Sequence, residues 1–227
     1  FCIPGNAGTN SIAQNVDIKI NDFKSIKEFC LKRKIELLIV GPEQPLVDGI
    51  VDYFNDTKIK IFGPNKISSQ LEGSKIFTKK ICEKYKIPTA NFGIFDSVKD
   101  AHNYLEKVKK PIVVKADGLA AGKGVIVCDN KEQAQLACEE MLNNKKFGQS
   151  SSKILIEERI SGREASIFVV SDGYDFKLLG TAQDHKRAFD NDRGPNTGGM
   201  GAVSPAPTLN QKILQKIIKD IVEPTIK

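Results

Sequence analysis

The chain has 227 residues, 40% of them hydrophobic and 27% charged, which is typical of a globular protein with room for one large or two modest domains. No apolar run approaches the roughly 18 residues of a membrane helix, and no secretory leader is recognisable, so neither a membrane partner nor secretion is predicted. The formal charge of +6 comes mainly from scattered lysines, and with four Tyr and no Trp these favour a solvated surface over a nucleic-acid-binding one.

The cysteines and histidines narrow the class further. The five cysteines lie in apolar contexts without a Cys-x-x-Cys pair, which predicts reduced core thiols in a cytoplasmic protein. Two histidines are too few for a histidine-rich metal site. The first residues, Phe-Cys-Ile-Pro-Gly, are typical of the end of a strand, so we expect the sequence to be a fragment cut at both ends.

Residues 1–64 alternate strand and helix patterns. The apolar runs 35–40 and 59–62 each end at a Gly-Pro pair, as buried parallel strands do, and helices with one apolar face flank the first run. This order predicts a parallel sheet with helices on both faces, and ligands of such sheets bind at the carboxyl ends of the strands. The loops 4–9 and 41–43 occupy those ends, where a substrate site and ordinary turn chemistry are both consistent with the residues.

Residues 65–110 contain a predicted helix from about Ser74 to Tyr85, then a strand, then a second helix near 98–108. Ser74 suits an N-cap. The neighbouring Lys75 is either a solvated residue of the first turn or a phosphate ligand.

The most informative stretch is 111–128. A buried-type strand brings Lys115 to its end, a loop of small residues follows around Lys123, and a second apolar strand runs from Val125 to Cys128. Two lysines and unobstructed backbone N–H groups at such a corner predict a polyphosphate site, although a glycine-rich hairpin with exposed lysines is the simpler alternative. The spacing fits neither a Walker A loop nor a dinucleotide-binding Gly-x-Gly-x-x-Gly.

A helix from Lys131 to Leu142 and a loop from Lys145 to Ser152 come next, followed by two strands around a short connector. The strands and connector carry three acids, Glu157, Glu158 and Glu164. These acids either pair with surface arginines or form a nucleotide clamp in which the backbone of the connector reads adenine.

The segments 183–187 and 194–202 are predicted to be loops. Charged side chains beside a Pro- and Gly-rich backbone suit a phosphorylated, hydroxylated ligand, while disorder is the alternative. An amphipathic helix follows, with isoleucines at 213, 217, 218 and 221 on its apolar face.

The order of six motifs resembles the phosphoribosylamine–glycine ligase family of ATP-grasp enzymes over essentially the whole chain. The motifs are Pro-Gly-Asn-Ala-Gly-Thr (4–9), Val-Gly-Pro-Glu-Gln-Pro-Leu-Val (40–47), Leu-Glu-Gly-Ser-Lys (71–75), Lys-Ala-Asp-Gly-Leu-Ala-Ala-Gly-Lys-Gly-Val (115–125), Gln-Asp-His-Lys-Arg (183–187) and Gly-Pro-Asn-Thr-Gly-Gly-Met-Gly-Ala (194–202). The last two distinguish this family from other ATP-grasp enzymes.

The resemblance implies an α/β fold: a Rossmann-like parallel-sheet domain over 1–64, lacking its first strand, and an incomplete ATP-grasp domain over 65–227 with a lid subdomain at about 111–180. It also implies a cytoplasmic enzyme of purine biosynthesis that ligates glycine to 5-phosphoribosylamine with ATP, through glycyl phosphate. The alternatives are another ATP-grasp ligase or carboxylase and a non-catalytic nucleotide-binding module.

The resemblance assigns roles to particular residues. Lys115 and Lys123 would be catalytic, and ATP would be bound by Lys75, Lys115, Gly118, Gly122, Lys123, Gly124, Glu157, Glu158, Ile160 and Glu164. The two small-molecule substrates would be bound by Gly5, Asn6, Gly41, Pro42, Glu43, Asp184, His185, Lys186, Arg187, Pro195, Asn196 and Thr197.

The family also uses Mg²⁺ or Mn²⁺, whose Glu and Asn ligands lie in a later segment, so no metal ligand is assigned within this chain. A glycine-rich loop of the family would precede Phe1. We therefore expect the 227 residues to be inactive in ligation on their own. The sequence does not indicate an oligomeric state.

Overall fold

The computed structural model of the chain describes residues 1–120, 123–191 and 193–226, with the backbone alone for Asn196. The chain divides into two units, Phe1–Thr78 and Lys79–Lys227. Among the described residues, no helix is long and apolar enough to cross a membrane.

The first unit is a small α/β assembly. Its helices are α1 (Phe23–Lys32), α2 (Glu43–Asp48), α3 (Ile50–Tyr53) and α4 (Gln70–Gly73), and a 3₁₀ turn covers Thr9–Ser11. The strands β1 (Leu37–Ile39) and β2 (Lys60–Phe62) pair in parallel, so the predicted parallel arrangement is confirmed. The core consists of Ile26 and Cys30 from α1, Ile50 from α3, and Phe54, the residue that follows α3.

Helix α5 (Lys75–Tyr85) follows, and the boundary between the units falls within it. The Ser74 hydroxyl accepts a hydrogen bond from the Phe77 N–H at 3.1 Å, so the predicted cap is confirmed.

The second unit contains a four-stranded antiparallel sheet in the order β3–β6–β4–β5. These strands are β3 (Phe92–Phe95), β4 (Ile112–Ala116), β5 (Val125–Cys128) and β6 (Ile154–Glu158). Helices α6 (Val98–Leu105) and α7 (Lys131–Leu142) pack on one face, because alternate residues of β4 and β6, among them Val114, Ile154 and Ile156, point to that side and are fully buried. The opposite face carries Lys115 and Glu157.

A three-stranded antiparallel sheet follows, made of β7 (Ser166–Ser171), β8 (Phe176–Phe189) and β9 (Arg193–Val203). The prediction that 183–187 and 194–202 are loops is therefore wrong. Both segments are strands, paired with each other and interrupted by register shifts around Arg187. Gly194, with φ of 83°, and Gly199, with φ of 125°, give this strand backbone conformations that other residues rarely adopt, which is why its composition is typical of a loop.

The chain continues through α8 (Gln211–Ile217), a π-helical turn (Ile218–Val222) and α9 (Glu223–Ile226). A helix therefore lies where the amphipathic pattern predicts it, but it is interrupted by the π-helical turn, and Ile213 and Ile221 of the predicted apolar face are 42% and 38% exposed. All five cysteines are free; Cys30, Cys128 and Cys138 are buried, as predicted for core thiols, whereas Cys2 and Cys82 are only partly buried.

Candidate functional site

The glycine-rich loop after β4 is anchored at both ends by backbone hydrogen bonds. The Ala116 N–H donates to the Gly124 carbonyl at 2.8 Å and the Gly118 N–H to the Ser150 carbonyl at 3.1 Å, while the Ser150 hydroxyl donates to the Leu119 carbonyl at 2.7 Å. A Cβ on Gly118 would lie 2.7 Å from the Ser150 hydroxyl oxygen, so this position requires glycine for close approach. The loop base is thus fixed against the turn at 148–151.

Two further predicted residues belong to this loop. Lys123 is exposed, and its N–H donates to the Ala120 carbonyl at 2.9 Å. Gly122 lies outside the described residues. The loop therefore carries an exposed lysine, a residue type suited to binding a polyphosphate.

Three charged residues meet on the face of the four-stranded sheet opposite α6 and α7. The Nζ atoms of Lys115 and Lys79 lie 2.9 and 3.2 Å from the same oxygen, Oε2 of Glu157. The Glu157 and Lys79 side chains are 7% and 10% exposed, whereas Lys115 is 27% exposed. We call these three residues the lysine–glutamate cluster. Lys115 is its most accessible member.

Strand register explains why Lys115 and Glu157 meet. Val113 of β4 is directly opposite Glu157 of β6, and Lys115 lies two residues further along β4 on the same face. Diagonal neighbours of this kind are within reach of long side chains. The anionic partner of Lys115 is thus, within the described residues, a carboxylate of the neighbouring strand.

Lys79 was not predicted from the sequence. Besides Glu157, its ammonium group donates to the Thr89 hydroxyl at 2.6 Å and the Ala90 carbonyl at 3.4 Å, and it lies 5.2 Å from the centre of the Phe92 ring. A signal was available: Lys79 is four residues after Lys75, so both lie on the same face of α5.

Glu158 points away from the cluster because successive residues of β6 face opposite sides. Its carboxylate accepts hydrogen bonds from Lys110 and, at 2.9 Å, from Asn91. The Lys110 bond, followed by the Asn91 bond, lowers the pKa of Glu158. Ile160 is 70% exposed in the connector after β6. The predicted adenine-binding residues Glu157 and Glu158 are therefore adjacent in sequence but do not share one surface.

Glu164, the predicted ribose ligand, lies in the connector between β6 and β7. Its carboxylate accepts a hydrogen bond from Lys186 at 3.2 Å, and Lys186 also lies 3.3 Å from Asp184. The bond to Glu164 raises the pKa of Lys186. The structure thus joins a predicted nucleotide ligand directly to the predicted substrate motif 183–187.

The two substrate motifs of the second unit are brought together as neighbouring strands. The Arg187 guanidinium donates to the Gly194 carbonyl at 2.7 Å and the Thr197 hydroxyl to the Lys186 carbonyl at 2.8 Å. The backbone of Asn196 is opposite Arg187, next to Pro195. An open cavity of about 320 Å³ at this hairpin is lined by His185, Arg187, Ala188, Phe189, Asp190, Asn191 and Met200.

The two substrate loops of the first unit also meet at one cavity. Gly5, Asn6, Gly41 and Pro42 line a space of about 540 Å³ together with apolar residues around β1. Glu43 is the first residue of α2, immediately after this loop, and Lys75 is the first residue of α5. The geometry therefore groups the 4–9 and 41–42 loops, as expected for the carboxyl end of a parallel strand.

No group of three or more His, Cys, Asp or Glu side chains in the described residues could hold a metal ion.

Both parts of the chain match domains of one known family. Residues 1–72 match the N domain of phosphoribosylglycinamide synthetase, and residues 73–227 match its ATP-grasp (A) domain. The chain belongs to the phosphoribosylglycinamide synthetase family. The family resemblance inferred from the six motifs is confirmed.

Curated relatives agree with this membership. The phosphoribosylamine–glycine ligase of Escherichia coli K12 is 49% identical over 229 residues, which cover 100% of this chain and 53% of that protein. The corresponding ligase of Leptospira interrogans (serovar copenhageni) is 48% identical over 97% of this chain and 52% of its own length. This chain thus spans about half the length of the curated relatives that it matches.

Solved structures confirm the predicted fold class. Phosphoribosylamine–glycine ligase from Thermotoga maritima superimposes with a TM-score of 0.80 at 32% identity, covering 98% of this chain and 53% of that one. Biotin carboxylase from Campylobacter jejuni gives a TM-score of 0.74 at 16% identity, covering 91% and 46%, a likeness of fold alone. The synthetase-family chain is an α/β protein with a parallel-sheet N-terminal domain and an ATP-grasp domain. The boundary at 64/65 and the lid at about 111–180 stay predictions.

Proposed function

We propose that the chain forms the substrate- and nucleotide-binding part of an ATP-dependent carbon–nitrogen ligase that joins glycine to 5-phosphoribosylamine. The observation that carries this proposal is the lysine–glutamate cluster beside a glycine-rich loop, in a chain that belongs to the synthetase family. An accessible ammonium group at a strand end next to closely approachable backbone suits a polyphosphate.

In this proposal Lys115 and Lys75 contact the ATP phosphates, and the loop with Gly118, Gly122, Lys123 and Gly124 closes over them. The connector from Glu157 and Glu158 through Ile160 holds adenine, and Glu164 holds the ribose. For Glu164 to accept hydroxyl groups, Lys186 has to give up its 3.2 Å contact or share it.

Phosphoribosylamine and glycine occupy the surfaces formed by the two pairs of motifs. Gly5, Asn6, Gly41, Pro42 and Glu43 form the first, and Asp184, His185, Lys186, Arg187, Pro195, Asn196 and Thr197 form the second. Arg187 and Lys186 supply cationic groups suited to a substrate phosphate, and Asp184 supplies an acceptor suited to an amine.

The chemistry consists of two displacements. An oxygen of the glycine carboxylate attacks the γ-phosphorus of ATP, the bond to the bridging oxygen breaks, and glycyl phosphate and ADP form. The amine of phosphoribosylamine then attacks the acyl carbon, phosphate leaves, and the nitrogen loses a proton to give the amide. Positioning and neutralisation of the phosphate charge are the contributions that Lys115 and Lys123 make as catalytic residues.

ATP-grasp enzymes also use a divalent metal, and we propose Mg²⁺ or Mn²⁺ for the whole protein. The described residues contain no group of three or more His, Cys, Asp or Glu side chains that could hold this ion. When bound, the ion would neutralise part of the polyphosphate charge.

Binding and turnover are tested separately. The 227-residue chain is titrated with ATP and with GTP by calorimetry, and Lys115→Met is expected to weaken ATP binding at least tenfold because it removes the accessible ammonium.

The intact protein containing the chain is incubated with ATP, phosphoribosylamine and isotopically labelled glycine, and the amide product is measured by mass spectrometry. Consumption of ATP that depends on bicarbonate instead of glycine would indicate a carboxylase. ATP binding without turnover would indicate a binding module.

A further inference from the structure

The lysine–glutamate cluster holds more positive than negative charge. Two ammonium groups share one carboxylate oxygen, so the three side chains carry a formal charge of +1. A pair consisting of Lys115 and Glu157 alone would carry no net charge. The residue that makes the difference is Lys79.

Lys79 is surrounded by protein. Its side chain is 10% exposed, and its ammonium group already donates to Glu157, Thr89 and Ala90 and lies over the Phe92 ring. Lys115, at 27% exposed, is the member that an incoming anion can contact. Lys79 can therefore influence a ligand through its contact with Glu157 and through the positive charge that it adds to the cluster, but not by touching the ligand.

We propose that Lys79 is a positioning residue for nucleotide binding: it occupies the shared oxygen of Glu157, so that Glu157 orients the Lys115 ammonium without cancelling its charge toward a polyphosphate. This inference rests on the proposed function, because it assigns the anion beside Lys115 to the phosphates of a nucleotide.

The expected effect follows from Coulomb's law. A unit charge acting over about 10 Å at an effective dielectric constant of about 20 changes a binding constant at least tenfold for each unit of charge on the ligand. The effect grows with the negative charge of the ligand. It therefore separates an electrostatic role from a purely structural one, since a distorted pocket would weaken all nucleotides alike.

The experiment compares the affinities of ATP and AMP for the full chain, measured by calorimetry in the presence of EDTA so that no metal reduces the charge of ATP. Lys79→Met is expected to weaken ATP binding at least tenfold and AMP binding clearly less, which lowers the ratio of the two affinities. The matched control is Lys80→Met, which removes the same charge from the next, exposed position of α5 and is expected to leave the ratio unchanged. Lys79→Arg is expected to keep the ratio of the unmodified chain.

A second variant predicts a change of opposite sign. Glu157→Gln raises the formal charge of the cluster to +2, so the ratio of ATP to AMP affinity is expected to rise, even if the absolute affinities fall through altered adenine contacts. Circular dichroism tests whether each variant is folded. If Lys79→Met does not fold, the two single variants Glu157→Gln and Lys79→Arg test the proposed role of Lys79.

The outcomes separate the two proposals. An unmodified chain that binds neither nucleotide would contradict the proposed function. ATP binding by the unmodified chain, with the same ratio in Lys79→Met or a lowered ratio in Glu157→Gln, would overturn the role of Lys79 and leave the proposed function standing.

Discussion

Glu157→Ala is expected to destabilise the second unit by about 3 kcal/mol, the lower end of the 3–5 kcal/mol typical of breaking a buried ion pair. The carboxylate is 7% exposed and serves two ammonium groups at 2.9 and 3.2 Å. Its removal leaves two like charges facing each other. Lys115, at 27% exposed, can turn toward solvent, but Lys79 cannot without leaving Thr89. We expect the lower end of the 3–5 kcal/mol range because Lys115 can regain solvent while Lys79 cannot.

The assay is native-state hydrogen exchange of the buried amides of Val114 and Ile156, in the two strands that carry Lys115 and Glu157. Exchange is preferable to a global denaturation curve because the chain has two units and no tryptophan. The double variant Lys79→Met/Glu157→Ala removes one of the stranded charges and is expected to be less destabilised than Glu157→Ala.

Glu158→Ala is the neighbouring control for this prediction. It removes a carboxylate whose main partner, Lys110, is 63% exposed, so a much smaller loss is expected. A loss below about 1 kcal/mol in Glu157→Ala, the range of surface ion pairs, would refute the reasoning. A double variant less stable than Glu157→Ala would refute the claim that Lys79 becomes unfavourable when Glu157 is absent.

Three further predictions follow from local contacts. Gly118→Ala is expected to lower the melting temperature, at a cost of about 1–3 kcal/mol, because its Cβ would lie 2.7 Å from the Ser150 hydroxyl oxygen and 3.0 Å from the Ser150 Cα. Burial raises the pKa of the Cys138 thiol to about 12, so a thiol reagent at about pH 8 is expected to leave Cys138 unmodified until the chain unfolds. The Lys110 bond lowers the pKa of Glu158, so its contribution to stability is complete above about pH 4.5 and is lost as the pH falls through the lower, folded-state pKa.

Each of these has a control. Gly162→Ala places a Cβ where no atom lies within 4 Å and is expected to leave the melting temperature unchanged. Cys2 is only partly buried and is expected to react in the folded chain, as peptide mapping by mass spectrometry would show. Glu158→Gln is expected to reduce the acid-induced loss of stability. An equal acid transition in that variant, or rapid labelling of Cys138, would contradict the assignments.

Strands and helices with a strong local signal could be predicted from the sequence. The apolar run before Lys115 forms β4, the segment Val125–Cys128 forms β5, and Lys131–Leu142 forms α7, with the same bounds for the last two. The strands β4 and β5 are short apolar runs, and α7 has its buried residues Ala134, Ala137, Cys138 and Met141 at helical spacing after the Asn130 cap. Local chemistry was sufficient there because tertiary packing and local preference agree.

The strand β9 could not be predicted in this way. It contains Gly198, Gly199 and Gly201, and glycine has little preference for strands. The strand forms because it pairs with β8, and this pairing includes register shifts around Arg187. Hydrogen bonds from Arg187 to Gly194 and from Thr197 to Lys186 hold the two strands in that register. Such a strand is specified by its neighbour, which a reading of single segments does not include.

The lysine–glutamate cluster shows the same limit at the level of chemistry. The sequence has Lys115 at the end of an apolar strand beside a glycine-rich loop, and the prediction drawn from this was a polyphosphate site. The antiparallel register of β4 and β6 places Glu157 diagonally from Lys115, a relation between residues 42 positions apart that no local pattern contains. A carboxylate that simply neutralised Lys115 would weaken the argument for an anion site. Lys79 restores it, because the second ammonium group on the same oxygen leaves the cluster positive, and the ratio of ATP to AMP affinity in the Lys79 and Glu157 variants measures that charge directly.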